Sequence, residues 1–263
     1  MFVDSHCHLN KLDLSLYQDN LDNPVAEARN QGVSHILCIG IDLESMDEVI
    51  AVADRYDNVF ATVGTHPLYE ESREPSIEQL LEFAEHPKVI GIGETGLDHY
   101  YCKKDNDWQM RRFVTHIEAA KRSGLPLIIH TRDAREQTIA ALKDHGAGEV
   151  VGVMHCFTES LEMAQAAVEL GFYISISGIV TFRTADQLRA VVDALPLDRL
   201  LIETDAPWLA PVPFRGKENQ PKYVVEVAKK IAEIKGVSVE EVAKVTTENF
   251  FQLFAKANKM RNA

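Results

Sequence analysis

Short apolar runs rich in β-branched residues alternate with amphipathic stretches along this chain, at intervals of roughly 20 to 36 residues. Few folds tolerate that rhythm. Eight strand candidates emerge: Phe2–His8, His35–Gly40, Val59–Gly64, Val89–Glu94, Leu125–His130, Val150–His155, Phe172–Ser177 and Leu200–Asp205. Runs such as Val89-Ile90-Gly91-Ile92-Gly93 and Leu127-Ile128-Ile129 are apolar throughout rather than alternating, as strands covered on both faces must be. Helical patterns lie between them at Asn23–Gln31, Ser76–Glu85, Asp107–Ser123, Arg135–Asp144, Glu159–Leu170 and Ala185–Ala194. Repeated strand–helix units of this kind imply a parallel sheet. Eight of them in 263 residues predict one domain, residues 1–263, folded as a single α/β (β/α)8 or TIM barrel.

A proline-rich loop from Pro207 to Pro221 follows the last strand candidate. Three further helical patterns come after it, at Tyr223–Lys235, Val239–Thr246 and Thr247–Ala255. The first can serve as the eighth barrel helix, leaving two extra C-terminal helices to pack beneath or beside the barrel.

Composition narrows the function. The net charge of −13 argues against a general duplex-binding surface, whose affinity comes mainly from neutralising phosphates. No apolar run approaches the roughly 18 residues of a membrane span, and Met1-Phe2-Val3-Asp4 does not begin a secretory leader. Cys7, Cys38, Cys102 and Cys156 show no CxxC spacing and read as reduced core thiols. A cytoplasmic protein with no membrane association and no obligate protein partner is expected.

Titratable residues gather where a barrel would collect them. His6 and His8 are two apart at the end of the first strand candidate, so both imidazoles face one side while Cys7 faces the other. Glu94, His130, His155 and Asp205 close the fourth, fifth, sixth and eighth strand candidates. The C-terminal ends of barrel strands converge on one mouth, so residues spread over some 200 positions become neighbours. Four imidazoles and two carboxylates suit one or two divalent ions of Zn, Mn or Mg character, and Glu94 can bridge two.

Several strings carry a more specific resemblance. Val3-Asp4-Ser5-His6-Cys7-His8, Gly64-Thr65-His66-Pro67, Gly93-Glu94-Thr95-Gly96-Leu97-Asp98, His130-Thr131-Arg132, His155-Cys156-Phe157, Glu203-Thr204-Asp205-Ala206-Pro207 and the tail Arg215-Gly216-Lys217-Glu218-Asn219-Gln220-Pro221 together resemble the TatD family of metal-dependent deoxyribonucleases, and within it the YcfH-like branch. The match runs over essentially the whole chain. The resemblance implies two divalent ions, one held by His6, His8 and Asp205, the other by His130 and His155, with Glu94 bridging. It implies 3′ to 5′ exonuclease-type hydrolysis of phosphodiesters by a metal-activated water, with Glu94 and Asp205 as catalytic carboxylates and DNA ends or short oligonucleotides as substrate. Ala206 and Trp208 stand where family members often carry Ser and Tyr, which leaves the ligand set complete but alters the substrate wall.

Other residues near the expected mouth have two readings each. His66 is a candidate donor to a non-bridging phosphate oxygen, or a polar loop histidine before Pro67. Arg132, Arg183, Arg215 and Lys217 are candidate phosphate contacts, or ordinary surface charges, Arg132 and Arg183 pairing with Asp133 and Asp186. Tyr100, Tyr101, Phe157 and Trp208 can stack on bases or simply pack their loops. Asp98 is placed to hold a ligand histidine or Arg132 in position. His35, His86, His116 and His145 carry no expected function. The competing activity is a small-molecule amidohydrolase, lactonase or phosphatase using the same metals, because the fold alone does not choose the chemistry.

Overall fold

The computed structural model describes residues 1–102, 106–146 and 148–261. Eight strands form one sheet: β1 Phe2–Cys7, β2 Val33–Cys38, β3 Val59–Val63, β4 Val89–Asp98, β5 Leu127–Arg132, β6 Gly152–Met154, β7 Tyr173–Ile176 and β8 Leu200–Ile202. Each pairs in parallel with the next in sequence order. The sheet closes on itself just beyond β8. There Asp205 N–H donates to His6 O (2.9 Å) and His8 N–H donates to Ala206 O (2.8 Å), with Cys7 and Ala206 bridged in parallel. The expected (β/α)8 barrel is therefore present.

The helices are α1 Asp22–Asn30, α2 Met46–Arg55, α3 Ile77–Ala84, α4 Asp107–Ser123, α5 Arg135–Ala141, α6 Leu161–Glu169, α7 Asp186–Ala194, α8 Val224–Lys235, α9 Val239–Leu253 and α10 Ala255–Arg261. Local chemistry sets their ends. Ser76 and Gln79 form a capping box on α3, Ser160 and Ser238 accept from the first turns of α6 and α9, and Gly124 and Gly236 end α4 and α8 in the left-handed region. None of the described helices is long and apolar enough to cross a membrane.

Two expectations need correction. The helices expected at 239–246 and 247–255 are one continuous α9 as far as Leu253. Thr246 Oγ1 donates back to Val242 O (2.8 Å) and Thr247 Oγ1 donates to Met1 O (3.1 Å), so neither hydroxyl is left to cap a new helix. Glu94 was expected to end the fourth strand, yet β4 continues beside β5 to Asp98, where Gly96 faces His130 and Asp98 faces Arg132. Glu94 and His130 thus sit within paired strands, on a stiffer support than loop ends.

The apolar runs are buried on both faces for two different reasons. Ile36, Cys38, Ala61, Val63, Val89, Leu127, Ile129, Ile174 and Ile202 pack outward against the helices. Val3, Leu37, Ile39, Phe60, Ile90, Ile128, Val153 and Leu201 fill the barrel, and Phe250, Phe251 and Phe254 from the end of α9 join them as a plug. His35 stacks on Phe60 and meets Phe251 edge-on at this closed end. The barrel is thus apolar and sealed at one end, leaving the polar chemistry to the other.

Phe254 is fully buried. Phe254→Ala is expected to destabilise the fold by about 3–5 kcal/mol, the usual cost of deleting a buried phenyl. Urea denaturation of the two proteins measures this, and a loss below about 1 kcal/mol would show that the plug is not part of the core.

Candidate metal centre

Closure of the barrel brings His6, His8 and Asp205 together, because the two backbone bonds between β1 and the end of β8 set their register. Glu94 reaches the same point from β4. The four donor atoms lie at mutual distances of 3.2 Å (His6 Nε2 to His8 Nε2), 3.3 Å (His6 Nε2 to Glu94 Oε2), 3.4 Å (His8 Nε2 to Asp205 Oδ1), 3.6 Å (His6 Nε2 to Asp205 Oδ1) and 3.9 Å (His8 Nε2 to Glu94 Oε2). Tetrahedral ligands about 2.1 Å from one ion are separated from each other by about 3.4 Å. These distances, five of the six edges of such a tetrahedron, match within about half an ångström. The residues therefore fit a divalent cation, which would also separate two imidazole nitrogens otherwise aimed at each other.

The other oxygen of Glu94 meets a second group. Its Oε1 lies 2.8 Å from His155 Nε2, 3.2 Å from His66 Nε2 and 3.3 Å from His130 Nδ1. By distance alone His66, Glu94 and His130 can surround an ion, as can His6, His8 and Asp205. Hydrogen bonds on the far sides of the rings separate possible ligands from donors. His155 Nδ1 faces Glu203 Oε1 (3.2 Å) and His130 Nε2 faces Asp98 Oδ2 (3.1 Å). A carboxylate only accepts, so the outward nitrogens keep their protons on Glu203 and Asp98, and the inward His155 Nε2 and His130 Nδ1, which donate to Glu94 without an ion, are the ones that would give up a proton to bind one. His66 is the reverse: its Nδ1 accepts from Leu68 N–H (3.1 Å), so in the neutral ring the proton sits on Nε2 and points at Glu94.

Electrostatics follow from the packing. Burial alone would raise the Glu94 carboxyl, but interaction with the facing His155, His66 and His6 rings and a hydrogen bond from His130 outweigh it and hold Glu94 well below the usual carboxylate range. Asp205 is also lowered, with burial overcome by His8, His6 and His155. For His155 burial favours the neutral ring, yet Glu94 and Glu203 raise its pKa well above the ordinary value; Asp98 and Glu94 raise His130 in the same way. His6 and His66 are lowered, chiefly by burial.

The centre floors a cavity of about 720 Å³ lined by His8, His66, Glu94, Asp98, Tyr101, His130, Arg132, His155, Asp205 and Trp208 among others. The Arg132 guanidinium lies 3.9 Å from the Tyr100 ring centre and 4.9 Å from that of Tyr101, and it makes no salt bridge to Asp133 among the described residues. Trp208 is 49% exposed and stands edge-on to His8. Arg183, Arg215 and Lys217 are exposed and do not line this cavity. Arg215 stacks on Phe182 (3.7 Å), and Asp186, the suggested partner of Arg183, is bound by Arg189 instead.

Three expectations change here. Phe157 is 1% exposed and belongs to the core outside the barrel, so it is unavailable to stack on a base. Of the four free cysteines only Cys7 and Cys38 are core thiols; Cys102 and Cys156 are partly exposed, and Cys156 lines the cavity. His116 was expected to do nothing, yet its Nε2 accepts from Thr65 N–H (3.0 Å) beside His66, and burial pushes its pKa down to about 4. Glu203 was overlooked altogether as an orienting group. Its sequence signal is slight: it stands two residues before Asp205, but both lie beyond the end of β8, where Asp205 turns into the left-handed region and strand alternation no longer sets direction.

A family model described as TatD related DNase matches residues 3–255. The chain is 46% identical over 252 residues to the uncharacterized metal-dependent hydrolase YcfH of Escherichia coli (strain K12), covering 96% of this chain and 95% of the relative. It is 42% identical over 255 residues to the uncharacterized metal-dependent hydrolase YabD of Bacillus subtilis (strain 168), covering 97% and 99%. The crystal structure of YjjV, a TatD homologue from E. coli K12, superposes with a TM-score of 0.89 at 31% identity, covering 97% of this chain and 98% of that one. With the barrel closed and the strand-end residues gathered at its mouth, the chain belongs to the family of TatD-related DNases.

Proposed function

We propose that this protein is a divalent-metal-dependent hydrolase that cleaves phosphodiesters, acting on DNA ends or short oligonucleotides from the 3′ side. The metal-dependent reading is carried by one observation, the near-tetrahedral set of His6, His8, Glu94 and Asp205 donors. His130 Nδ1 and His155 Nε2 are assigned to a second ion, with Glu94 shared between the two. Family membership favours a nucleic-acid substrate, as does the composition of the cavity wall, where Arg132 can pair with phosphate and Tyr101 and Trp208 offer faces to bases. The net charge of −13 favours a strand end drawn into the cavity over a duplex laid across the surface. Four free cysteines are compatible with a reducing compartment, and a cytoplasmic site of action belongs to the same proposal.

Bound divalent ions would stabilise the phosphoryl oxygens as Lewis acids and lower the pKa of water. The chain's own groups do the rest. Glu203 and Asp98 hold the two imidazoles so that the correct nitrogen faces inward. Asp205, ionised and partly open to the cavity, can accept the proton of the attacking water. His66 Nε2–H can donate to a non-bridging oxygen, and Arg132 neutralises the phosphate.

A second reading is a small-molecule hydrolase acting on a lactone, an amide or a phosphate monoester. It is favoured by Arg132 being the one Lys or Arg lining the cavity among the described residues. Assays of the metal-loaded protein with 3′-labelled single-stranded oligonucleotides, beside a panel of lactones, amides and phosphate monoesters, distinguish the two. Shortening of the oligonucleotide, abolished by chelator, is expected; turnover of the panel alone would overturn the nuclease reading.

Glu94→Ala is expected to lose activity and at least one metal equivalent by elemental analysis, and Glu203→Gln to weaken metal affinity about 10- to 100-fold. Two equivalents retained in Glu94→Ala would exclude the shared carboxylate.

Metal affinity is also expected to fall on acidification. His155 and His130 must lose their protons to bind an ion, and both are raised above the ordinary histidine value of about 6.5, so protons compete already above that pH. Chelator competition between pH 6 and 8.5 measures this, and a flat affinity across that range would contradict the assigned ligands.

A further inference from the structure

Helix α4 carries three buried polar side chains on one face, Gln109, Arg112 and His116, at a spacing that places them in a line along the helix. An apolar stripe is what a barrel helix ordinarily presents to its sheet. Here each of the three ends on the backbone of the turn after β3. His116 Nε2 accepts from Thr65 N–H (3.0 Å), Arg112 donates to His66 O (2.8 Å) and Gln109 Nε2 donates to Pro67 O (2.7 Å). Three consecutive residues centred on His66 are gripped from one helix.

The arrangement goes beyond what burial requires. Arg112 is 2% exposed and needs Glu74 as a counter-ion, which its guanidinium meets with two nitrogens at 3.0 and 2.5 Å. A buried arginine is costly even when paired, and a loop carbonyl alone gives little reason to place one there. Ile41 O, from the loop after β2, accepts from His66 N–H (2.9 Å), and within the turn itself Leu68 N–H donates to His66 Nδ1 (3.1 Å). A backbone N–H can only donate, so Nδ1 is an acceptor for as long as this turn holds its shape. The shape is held by the helix.

Gln109 has a second contact. Its Oε1 accepts from Asp98 N–H (3.0 Å), the residue whose carboxylate holds His130. One amide therefore fixes the distance between the His66 turn and the strand end carrying Asp98.

We propose that the polar face of α4, Gln109, Arg112 and His116, is a positioning device that keeps His66 a hydrogen-bond donor to the reaction centre and prevents it from becoming a metal ligand. In the opposite tautomer the Nε2 lone pair would face Glu94 Oε1 and His130, in a site where it would compete for an ion. His116, Arg112 and Gln109 touch no reacting atom; they act through His66. The kinetic consequence rests on the hydrolase reading, while the tautomer does not.

The test has two independent arms. Long-range 15N–1H correlation spectra of histidine-labelled protein, with His66 assigned by His66→Gln, report the tautomer directly in metal-free protein and during zinc titration. An Nε2–H ring whose shifts stay fixed while those of His130 and His155 move is expected. An Nδ1–H ring, or His66 shifts that move as a ligand's do, would overturn the proposal whatever the activity. The second arm is a double-mutant cycle on oligonucleotide hydrolysis. His116→Phe removes the acceptor for Thr65 N–H and is expected to lower kcat about 10- to 100-fold with metal content unchanged, to be partly rescued by His116→Gln, and to cost nothing further in the His66→Gln background. Additive losses would show that His116 does not act through His66. If the wild-type protein does not shorten the oligonucleotide, the nuclease reading fails and the spectra alone decide the positioning proposal.

Discussion

A single carboxylate organises the polar half of this protein. Glu94 is almost fully buried, and its two oxygens touch His6, His66, His130 and His155 within 3.3 Å. An anion so placed has given up its hydration, and only directed positive charge or hydrogen-bond donation can offset that loss. Every nearby group is arranged to do so. The outer carboxylates extend the same logic, because Asp98 and Glu203 fix which nitrogen of His130 and of His155 faces inward. Alternating carboxylate and imidazole layers make a site that is complementary to divalent cations.

The barrel supplies the stiffness such a site needs. Two backbone bonds that close β1 onto the segment after β8 also set the spacing of His6, His8 and Asp205, so closure of the fold and assembly of this candidate cation site are the same event. Asp4 reinforces it by accepting from Thr204 N–H and Oγ1 at 2.8 and 2.6 Å, tying β1 to the segment after β8 just below these three residues. Glu94 and His130 are held by the extended pairing of β4 with β5. At the opposite end, the aromatic plug from α9 keeps water out of the barrel, leaving the mouth as the site's opening to solvent.

The surroundings of the site limit what can enter. The net negative charge disfavours long polyanions, and Arg183, Arg215 and Lys217 of the last two loops do not line the cavity. Arg132 does reach it, and its guanidinium is kept flat by Tyr100 and Tyr101 rather than neutralised by a carboxylate of the described residues. An arginine stacked in this way keeps its donors available to an anionic group entering the cavity. Charge is thus concentrated at the candidate metal centre, where a bound divalent cation would dominate over distances of about 8 Å, the range beyond which salt screens it.

Periodicity and residue type alone determined much of this protein. The eight apolar runs, the barrel they build and the six residues at its mouth were legible because each depends on strand alternation or on position at a strand end, which are local properties. Tertiary structure decided the rest. Glu203 and Asp98 look alike in sequence, but each became the orienting partner of a different histidine through contacts 48 and 32 residues away. His66 and His155 are both histidines beside Glu94, and only their far-side neighbours, a backbone amide for one and a carboxylate for the other, separate donor from candidate ligand. Gln109, Arg112 and His116 read as an ordinary polar fraction of a helix until the fold set them against the turn of His66. A side chain's type is written in the chain, but its proton is placed by whichever partner the fold brings within about 3 Å.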